Sequence, residues 1–347
     1  MTSAKVADTG AAILLTDHRL RVPLGASNRI ILEESERMGF RVTPFFGLDT
    51  VLLHEGHGLS FYTRGTQTSI QSSVGRTIAL DKALAKAIFQ RMRLPTARGF
   101  LASSDDDLAQ LAGLRGPYVV KPVDGKQGTG VHVGLRTEAD VRACFSARLG
   151  PVVVEEMLEG EEYRVFCVAH EVVAVARRRA AFVVGDGART IEELIIEKNR
   201  HPWRGEGHVG NLTRIVVDAD LRETLSSSGR TLHDVAGAGE EVVLRRAANL
   251  SLGGEAVDVS DEVSEVNRRL MSRIARAVDL DVVGIDLICQ SLRSPIDEQP
   301  RAGVVEVNAS PGLRMHHFPM AGTPRNVGGR VLAQVVQKLG GLRSEAG

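Results

Sequence analysis

Two acidic residues and one asparagine lie in two apolar segments near the end of the chain. Asp286 lies within 282–289, and Glu306 and Asn308 alternate with valines in 304–308. Side chains alternate across a strand, so Glu306 and Asn308 project from one face, and the proline and glycine that follow end the strand. If the two strands pair, Asp286 lies about 5 Å from Glu306.

Two carboxylates and an amide oxygen inside buried strands are unfavourable unless a cation lies among them. An all-oxygen set without a Cys or His cluster indicates Mg²⁺, which keeps waters and takes further ligands from phosphates. These residues alone leave one alternative open, a solvent-exposed acidic face on an edge strand.

Lysine is rare in this chain, since seven of the 43 basic residues are lysines. Lys121 ends an apolar segment, and the glycine-rich turn 124–130 follows it with Lys126, Gly128 and Gly130. Such a turn between two strands can direct backbone N–H groups at a phosphate chain while the lysines supply charge. The sequence therefore predicts a phosphate-binding flap, and a plain hairpin is the alternative.

A helix is predicted to begin after Asp81, which can cap it. Lys82 lies in its first turn, where the helix dipole disfavours a cation unless an anionic ligand is near. A lysine that extends into water is the alternative. The residues predicted for the buried side of this helix are Ala83, Leu84, Ala87, Ile88 and Met92.

The acidic run 155–162 follows an apolar strand. Such a run is usually a solvated turn. In a nucleotide site, however, an acid at the end of the strand could accept a hydrogen bond from the adenine amino group and a later acid could hold the ribose hydroxyls, while neighbouring backbone pairs with the ring.

Composition narrows the functional class. The 347 residues are enough for two or three lobes, and 43 basic residues balance 43 acidic ones. The 4% aromatic content and the lack of a basic stripe argue against a nucleic-acid partner. Three cysteines without CxxC spacing, and no apolar run near the roughly 20 residues that span a bilayer, predict a cytoplasmic protein with no membrane partner.

Alternating strand and helix patterns predict an α+β or α/β protein of three parts. A short α/β N-terminal lobe covers 1–75, a subdomain with the phosphate flap covers 76–155, and a C-terminal subdomain covers 156–347. Mixed sequence with scattered glycines over 200–240 predicts an inserted lid, whose full extent is placed at about 183–247.

Together these segments resemble the ATP-grasp superfamily of carboxylate–amine ligases, above all the ATP-grasp modules of cyanophycin synthetase and of fused bacterial glutathione synthetase. The likeness runs from about residue 68 to 336. It rests on motifs that occur in the family's order, namely Lys121-Pro122, 124–130, 183–187 with 190–194, 248–251, 284–286 and 306–312. The fold implied is two α+β subdomains that clasp ATP, preceded by the short N-terminal lobe.

The resemblance also implies roles for individual residues. Those implied to bind the nucleotide are Lys82, Lys121, Lys126, Gly128, Gly130, Glu155, Glu162 and the main chain at Met157 and Leu158. Those implied to hold two Mg²⁺ ions, with Mn²⁺ as a substitute, are Asp286, Glu306 and Asn308. Those placed near the transferred phosphoryl group or the substrates are Arg177, Arg245 and Asn249, with Arg164, Arg314 and His316 as substrate contacts.

The chemistry implied is ATP-dependent amide bond formation. A carboxylate is a poor acyl donor, so phosphorylation by ATP first gives an acyl phosphate, and an amine then displaces phosphate. We expect free amino acids or short peptides as substrates, a single kind of amide bond, and a homodimer. The alternatives are an enzyme that modifies a protein or ribosomal peptide, and an ATP-binding sensor or scaffold without catalysis.

Overall fold

The computed structural model describes residues 24–46, 49–123, 130–147, 150–207 and 210–344. The chain divides into two units, one formed by residues 1–70 with 328–347 and the other by residues 71–327. In the described part of the chain, no helix is both long and apolar enough to cross a membrane.

The first unit has a four-stranded antiparallel sheet in the order β1-β2-β3-β4. Its elements are α1 (Ala26–Arg37), β1 (Arg41–Phe45), β2 (Val51–Gly56), β3 (Leu59–Arg64) and β4 (Gln67–Thr68), and most of the final helix, Val327–Ser344, belongs to it. Strand β3 alternates strictly between buried and exposed residues, which is the pattern of a sheet with one covered face.

His54 connects this sheet to α1. Its Nδ1 lies 2.7 Å from the Ser35 hydroxyl and its Nε2 lies 2.8 Å from the Thr63 hydroxyl, while its ring stacks on Phe61. Burial lowers the pKa of His54 to about 4, so the folded unit keeps the ring neutral.

Acid is therefore expected to destabilise the first unit. The unfolded chain binds a proton on His54 below about pH 6.5, whereas the folded unit binds it only near pH 4. Stability falls as the pH falls between these values, by about 2 kcal/mol from pH 6.5 to 5. Urea unfolding of wild type and His54→Gln at pH 7 and 5 checks this. An equal pH dependence in both proteins would contradict it.

The second unit contains two larger antiparallel sheets. Its first part contains α2 (Ser73–Leu80), α3 (Lys82–Arg91), β5 (Gly99–Ala102), β6 (Tyr118–Pro122), β7 (His132–Leu135), α4 (Glu138–Ser146) and β8 (Val152–Glu156). Strands β5 to β8 pair in the order β5-β8-β6-β7. Asp81 caps α3 by accepting from two backbone N–H groups, as the sequence predicted.

The other large sheet has the order β15-β10-β9-β16-β17. Its strands are β9 (Glu161–Val168), β10 (Glu171–Arg179), β15 (Glu255–Asp258), β16 (Val282–Cys289) and β17 (Gly303–Asn308). Leu270, Met271 and Ile274 of the helix over Glu265–Ala277 share one buried core with one face of this sheet. Its other face carries the polar residues of the site.

Residues between β10 and β15 form a hydrophobic core of their own, from Ala181 to Leu244. The elements here are β11 (Phe182–Val184), α5 (Ile191–Lys198), β12 (Arg204–Gly205), β13 (Leu212–Thr213), α6 (Ala219–Ser227) and β14 (Glu241–Val243). A capping box formed by Thr190 and Glu193 begins α5. With α7 for the helix over Glu265–Ala277, the last short helix is α8 (Arg314–His317).

Candidate active site

Three polar side chains meet on adjacent strands β16 and β17. The register places Asp286 opposite Glu306 and Gly284 opposite Asn308. The Asn308 amide nitrogen lies 3.5 Å from Asp286 Oδ2. The predicted pairing of these strands is therefore confirmed, because directly opposite residues share one face of a sheet.

Asp286 is 3% exposed and is held by arginines. Arg164 donates to both of its carboxylate oxygens, and the Arg178 guanidinium lies 3.5 Å away. Burial alone would raise the pKa of Asp286, but these two cations outweigh it and hold the pKa at about 2. Asp286 therefore carries its negative charge at neutral pH.

Glu306 has a different environment. Burial and the neighbouring Asp286 carboxylate raise its pKa, and Lys82 Nζ lies 4.0 Å from Oε2. This carboxylate is therefore short of positive charge. Within the described residues no three Asp, Glu, His or Cys side chains could hold a metal together. Two carboxylates and one amide oxygen still fit Mg²⁺, provided that phosphate and water supply the remaining ligands.

A small cavity beside Glu306 is rich in lysine. Lys82 and Lys86 of α3 and Lys121 of β6 line it, which are three of the seven lysines in the chain. The full lining is Ala79, Lys82, Ala85, Lys86, Phe89, Thr96, Lys121, Val305, Glu306 and Val307. Three ammonium groups around one cavity suit a polyanion such as a phosphate chain.

Two of these lysines share one buried carboxylate. Glu155 is 5% exposed, with Lys121 Nζ 2.5 Å from Oε1 and Lys86 Nζ 2.8 Å from Oε2. Burial would raise the pKa of Glu155, yet the two lysines hold it below its usual value. Burial lowers the pKa of Lys86 despite Glu155. Both oxygens of Glu155 thus already have cationic partners, whereas the family resemblance implied a contact of this residue with adenine.

Lys86 was not among the residues predicted from the sequence, because the buried side of α3 differs from the predicted one. The residues that are buried are Ala85, Lys86 and Phe89, whereas Leu84 and Met92 are exposed. The predicted apolar side was therefore wrong. The spacing of Lys82 and Lys86, four residues apart on one helix, was the available signal.

The turn after β8 lies against the segment before β6. The Met157 N–H donates to Pro117 O at 2.8 Å, and Leu158 follows half-buried. Glu162 pairs with Arg178 at 3.1 Å, and burial raises the Glu162 pKa although Arg178 opposes the shift. These positions remain predicted contacts to the base and ribose.

Arg178, and not Arg177, faces the acidic cluster that Asp286 and Glu306 form. Arg178 pairs in register with Glu162, and Arg177 pairs with Tyr163, which belongs to the core under the sheet. The structure therefore does not bring Arg177 to Asp286. Neighbouring residues of a strand point to opposite faces of the sheet, but this alternation does not indicate which of the two arginines faces the site.

Arg177 and Arg178 provide a matched test of which arginine serves the site. Arg178→Gln is expected to lower kcat/KM by about 10- to 100-fold, because hydrogen bonds between charged groups contribute about 1.5–3 kcal/mol. Arg177→Gln is expected to change it less than threefold. Steady-state rates of ATP consumption for both variants check this, and equal losses would contradict the assignment.

Arg245 and Asn249 already have hydrogen-bond partners within the protein. Arg245 is 2% exposed and donates to Asp220 at 2.7 Å and Asp218 at 2.8 Å. The Asn249 side chain caps a short 3-10 turn by accepting from the Ser251 N–H. These contacts join Arg245 to residues near α6, so its predicted catalytic role would require the ion pairs to open.

Arg314 and His316 lie on α8. Arg314 donates to Gly210 O at 3.0 Å. His316 is 1% exposed, its ring meets Phe166 edge-on, and burial lowers its pKa to about 3. Within the described structure its two ring nitrogens have no hydrogen-bond partner. His316 is therefore a neutral group with unused hydrogen-bonding capacity.

The predicted phosphate flap falls mostly outside the described residues. Lys126 and Gly128 belong to 124–129, of which the structure describes nothing, while Gly130 adopts a left-handed φ of 70° just before β7. Their nucleotide contacts remain predictions.

Comparison with known proteins gives three results. The family model of the RimK-like ATP-grasp domain matches residues 79–184 and 233–323. Cyanophycin synthetase of Trichormus variabilis is 37% identical over 316 residues, which are 89% of this chain and 35% of that protein. The glutathione biosynthesis bifunctional protein GshAB of Pasteurella multocida is 30% identical over 83% of this chain and 39% of that protein.

A solved structure resembles most of the chain. The crystal structure of a bifunctional glutathione synthetase from Pasteurella multocida superimposes with a TM-score of 0.72 and 27% identity, over 91% of this chain and 44% of that one. The chain thus spans well under half the length of the curated relatives that it matches.

Proposed function

Since the chain belongs to the RimK-like ATP-grasp domain family, we propose that it is an ATP- and Mg²⁺-dependent ligase that joins a carboxylate to an amine. Family membership confirms the ATP-grasp fold class predicted from the sequence. The single observation that supports catalysis best is the meeting of Asp286, Glu306 and Asn308 beside a cavity lined by three lysines.

The proposed reaction has two steps. A substrate carboxylate oxygen attacks the γ-phosphorus of ATP, which forms an acyl phosphate and releases ADP. A neutral amine then attacks the acyl carbon, and phosphate departs as the amide forms and the amine loses a proton. No covalent link to the protein is needed.

The protein would act by positioning and by neutralising charge. Lys82 and Lys121 would hold the phosphate chain, and Arg164 and Arg178 keep the pKa of Asp286 low and its carboxylate ionised. Asp286, Glu306 and Asn308 would hold Mg²⁺, which supplies electrophilic stabilisation of the phosphoryl oxygens when bound. We propose that two ions bind here, and titration of the protein with Mg²⁺ or Mn²⁺ measures their number.

The acceptor site is proposed on the same side of the sheet. His316 contacts Phe166, which lies two residues after Arg164 on β9 and therefore on the same face. A neutral, unpartnered imidazole could hydrogen bond to a substrate amine or carboxylate. We propose free amino acids or short peptides as the substrates, in line with relatives named as synthetases of cyanophycin and glutathione.

The test is a turnover assay. Purified protein is incubated with Mg²⁺, ATP and pools of amino acids, while phosphate release and product masses are measured. Phosphate release that depends on a particular amino acid, with a product one water lighter than the summed substrates, supports the ligase. ATP binding without dependent turnover would support the non-catalytic sensor, and turnover only with a protein or peptide would support the modifying enzyme.

A further inference from the structure

The connection between β16 and β17 is longer than an antiparallel pair needs. Residues 290–302 join the two strands, whereas two residues can close a hairpin. Gln299 organises this connection, because its side-chain oxygen accepts from Gln290 N and Ser291 N and its side-chain nitrogen donates to Ser291 O. These hydrogen bonds give the connection a defined conformation.

This connection lies directly behind the turn that follows β8. Gln290 donates to Glu159 O at 2.8 Å, and Glu159 N donates to Arg301 O at 2.9 Å. Gly160, with φ at 133°, approaches so closely that a Cβ there would lie 2.3 Å from Cys289 O. The turn 157–160 therefore rests on residues that join the two strands of the proposed metal site.

Arg301 links three carbonyl groups and one carboxylate. Its guanidinium donates to Gly116 O at 2.7 Å, to Met157 O at 3.3 Å and to Arg115 O at 3.4 Å. It also lies 3.4 Å from the Glu159 carboxylate. Its backbone has φ of 50°, a conformation that non-glycine residues rarely adopt.

We propose that Arg301 is a positioning residue for the nucleotide base. It fixes the turn 157–159 against residues 115–117, so that the main chain at Leu158, whose N–H and C=O take no part in these contacts, can hydrogen bond to an adenine ring. The proposal rests on the proposed function, because it assumes that this turn contacts the base. Arg301 lies in the connection between β16 and β17 and acts on the turn through its contacts with Met157 and Glu159.

The geometry of the guanidinium group explains why an arginine suits this position. A planar fork with five donors can satisfy several carbonyl oxygens at fixed angles, whereas a lysine ammonium cannot span the same set. Loss of the fork would leave the turn held by the Met157–Pro117 and Glu159–Arg301 backbone bonds and by the Gln290 side chain, which donates to Glu159 O. Small displacements of the turn would then weaken base binding without altering the phosphate site.

The test compares ligands with and without a base. Dissociation constants for ADP and for inorganic tripolyphosphate, both with Mg²⁺, are measured by calorimetry for wild type, Arg301→Met and Arg301→Lys. We expect Arg301→Met to weaken ADP binding about 10-fold, the loss typical of a hydrogen bond to a charged group, and to leave tripolyphosphate binding within twofold. Arg301→Lys should lie between wild type and Arg301→Met. For ATP consumption we expect KM to rise and kcat to change less than twofold.

Arg293→Met is the matched control. Arg293 belongs to the same connection, but its guanidinium is exposed and pairs only loosely, at 3.5 Å, with Glu262. We expect this variant to bind both ligands as wild type does. If Arg301→Met does not fold, Arg301→Lys decides the matter by the same comparison.

Two results would overturn the role of Arg301. One is unchanged ADP binding in a folded variant, and the other is an equal loss for ADP and tripolyphosphate, which would indicate general disorder. If wild type itself bound neither ADP nor ATP, the proposed function would fail instead. The two failures are therefore distinguishable.

Discussion

Glu306→Gln is expected to lower Mg²⁺-dependent ATP consumption by about 10²- to 10³-fold, the loss typical of removing one transition-state stabilising group. Glutamine has nearly the same shape, but it replaces a charged oxygen by an amide. Burial and Asp286 already raise the pKa of Glu306, which shows that this carboxyl is short of positive charge. A divalent cation would supply that charge, and the amide would bind it weakly.

The loss of activity in Glu306→Gln should be accompanied by a loss of metal affinity. Initial rates are measured over a range of Mg²⁺ and Mn²⁺ concentrations, and the apparent metal affinity is expected to fall together with kcat. Glu298→Gln is the control, because Glu298 is exposed in the connection before β17. Full activity of Glu306→Gln at ordinary Mg²⁺ would remove Glu306 from the metal site.

Glu155→Gln is expected to destabilise the protein before any nucleotide is added. The carboxylate is buried between Lys86 and Lys121, at 2.8 and 2.5 Å. Its loss leaves two buried ammonium groups without a counter-charge, and breaking a buried ion pair in this way costs about 3–5 kcal/mol. If Glu155 contacted only adenine, its substitution would change the affinity for ATP and leave the nucleotide-free protein as stable as wild type.

Urea unfolding of the nucleotide-free protein separates these outcomes. Glu138→Gln is the control, since its pair with Arg142 is exposed and should contribute less than about 1 kcal/mol. The double variant Glu155→Gln/Lys86→Met should lose less free energy of unfolding than the two single variants lose together, because it removes one charge of each sign. Unchanged stability of Glu155→Gln would mean that the lysines do not depend on this carboxylate.

The residues proposed to bind metal and phosphate show where the sequence correctly predicted which side chains lie together. Strand alternation and the Pro-Gly stop predicted that Glu306 and Asn308 share a face and that Asp286 lies opposite, and the register of β16 and β17 agrees. Lys82 and Lys121 were selected from rarity and position, and both line the same cavity. These are local signals, since a period of two and a helix cap depend only on neighbouring residues.

The arginines show where it did not succeed. Arg177 and Arg178 are equivalent in sequence, and only the pairing of β10 with β9 shows that Arg178 lies beside Asp286. Arg245 has the charge expected of a phosphate contact, but its partners Asp218 and Asp220 lie more than twenty residues away in the chain. No periodicity indicates such a pairing.

What the sequence by itself determined was the family, the two strands that carry the acidic cluster and the lysines that face it, because these follow from residue type and local spacing. What the tertiary structure decided was which side chains share a charge. Glu155 between two lysines, Asp286 between two arginines and Arg301 behind the turn 157–159 all join segments that are distant in the chain. Burial makes each such charge depend on its partner, and only the fold brings the partners together.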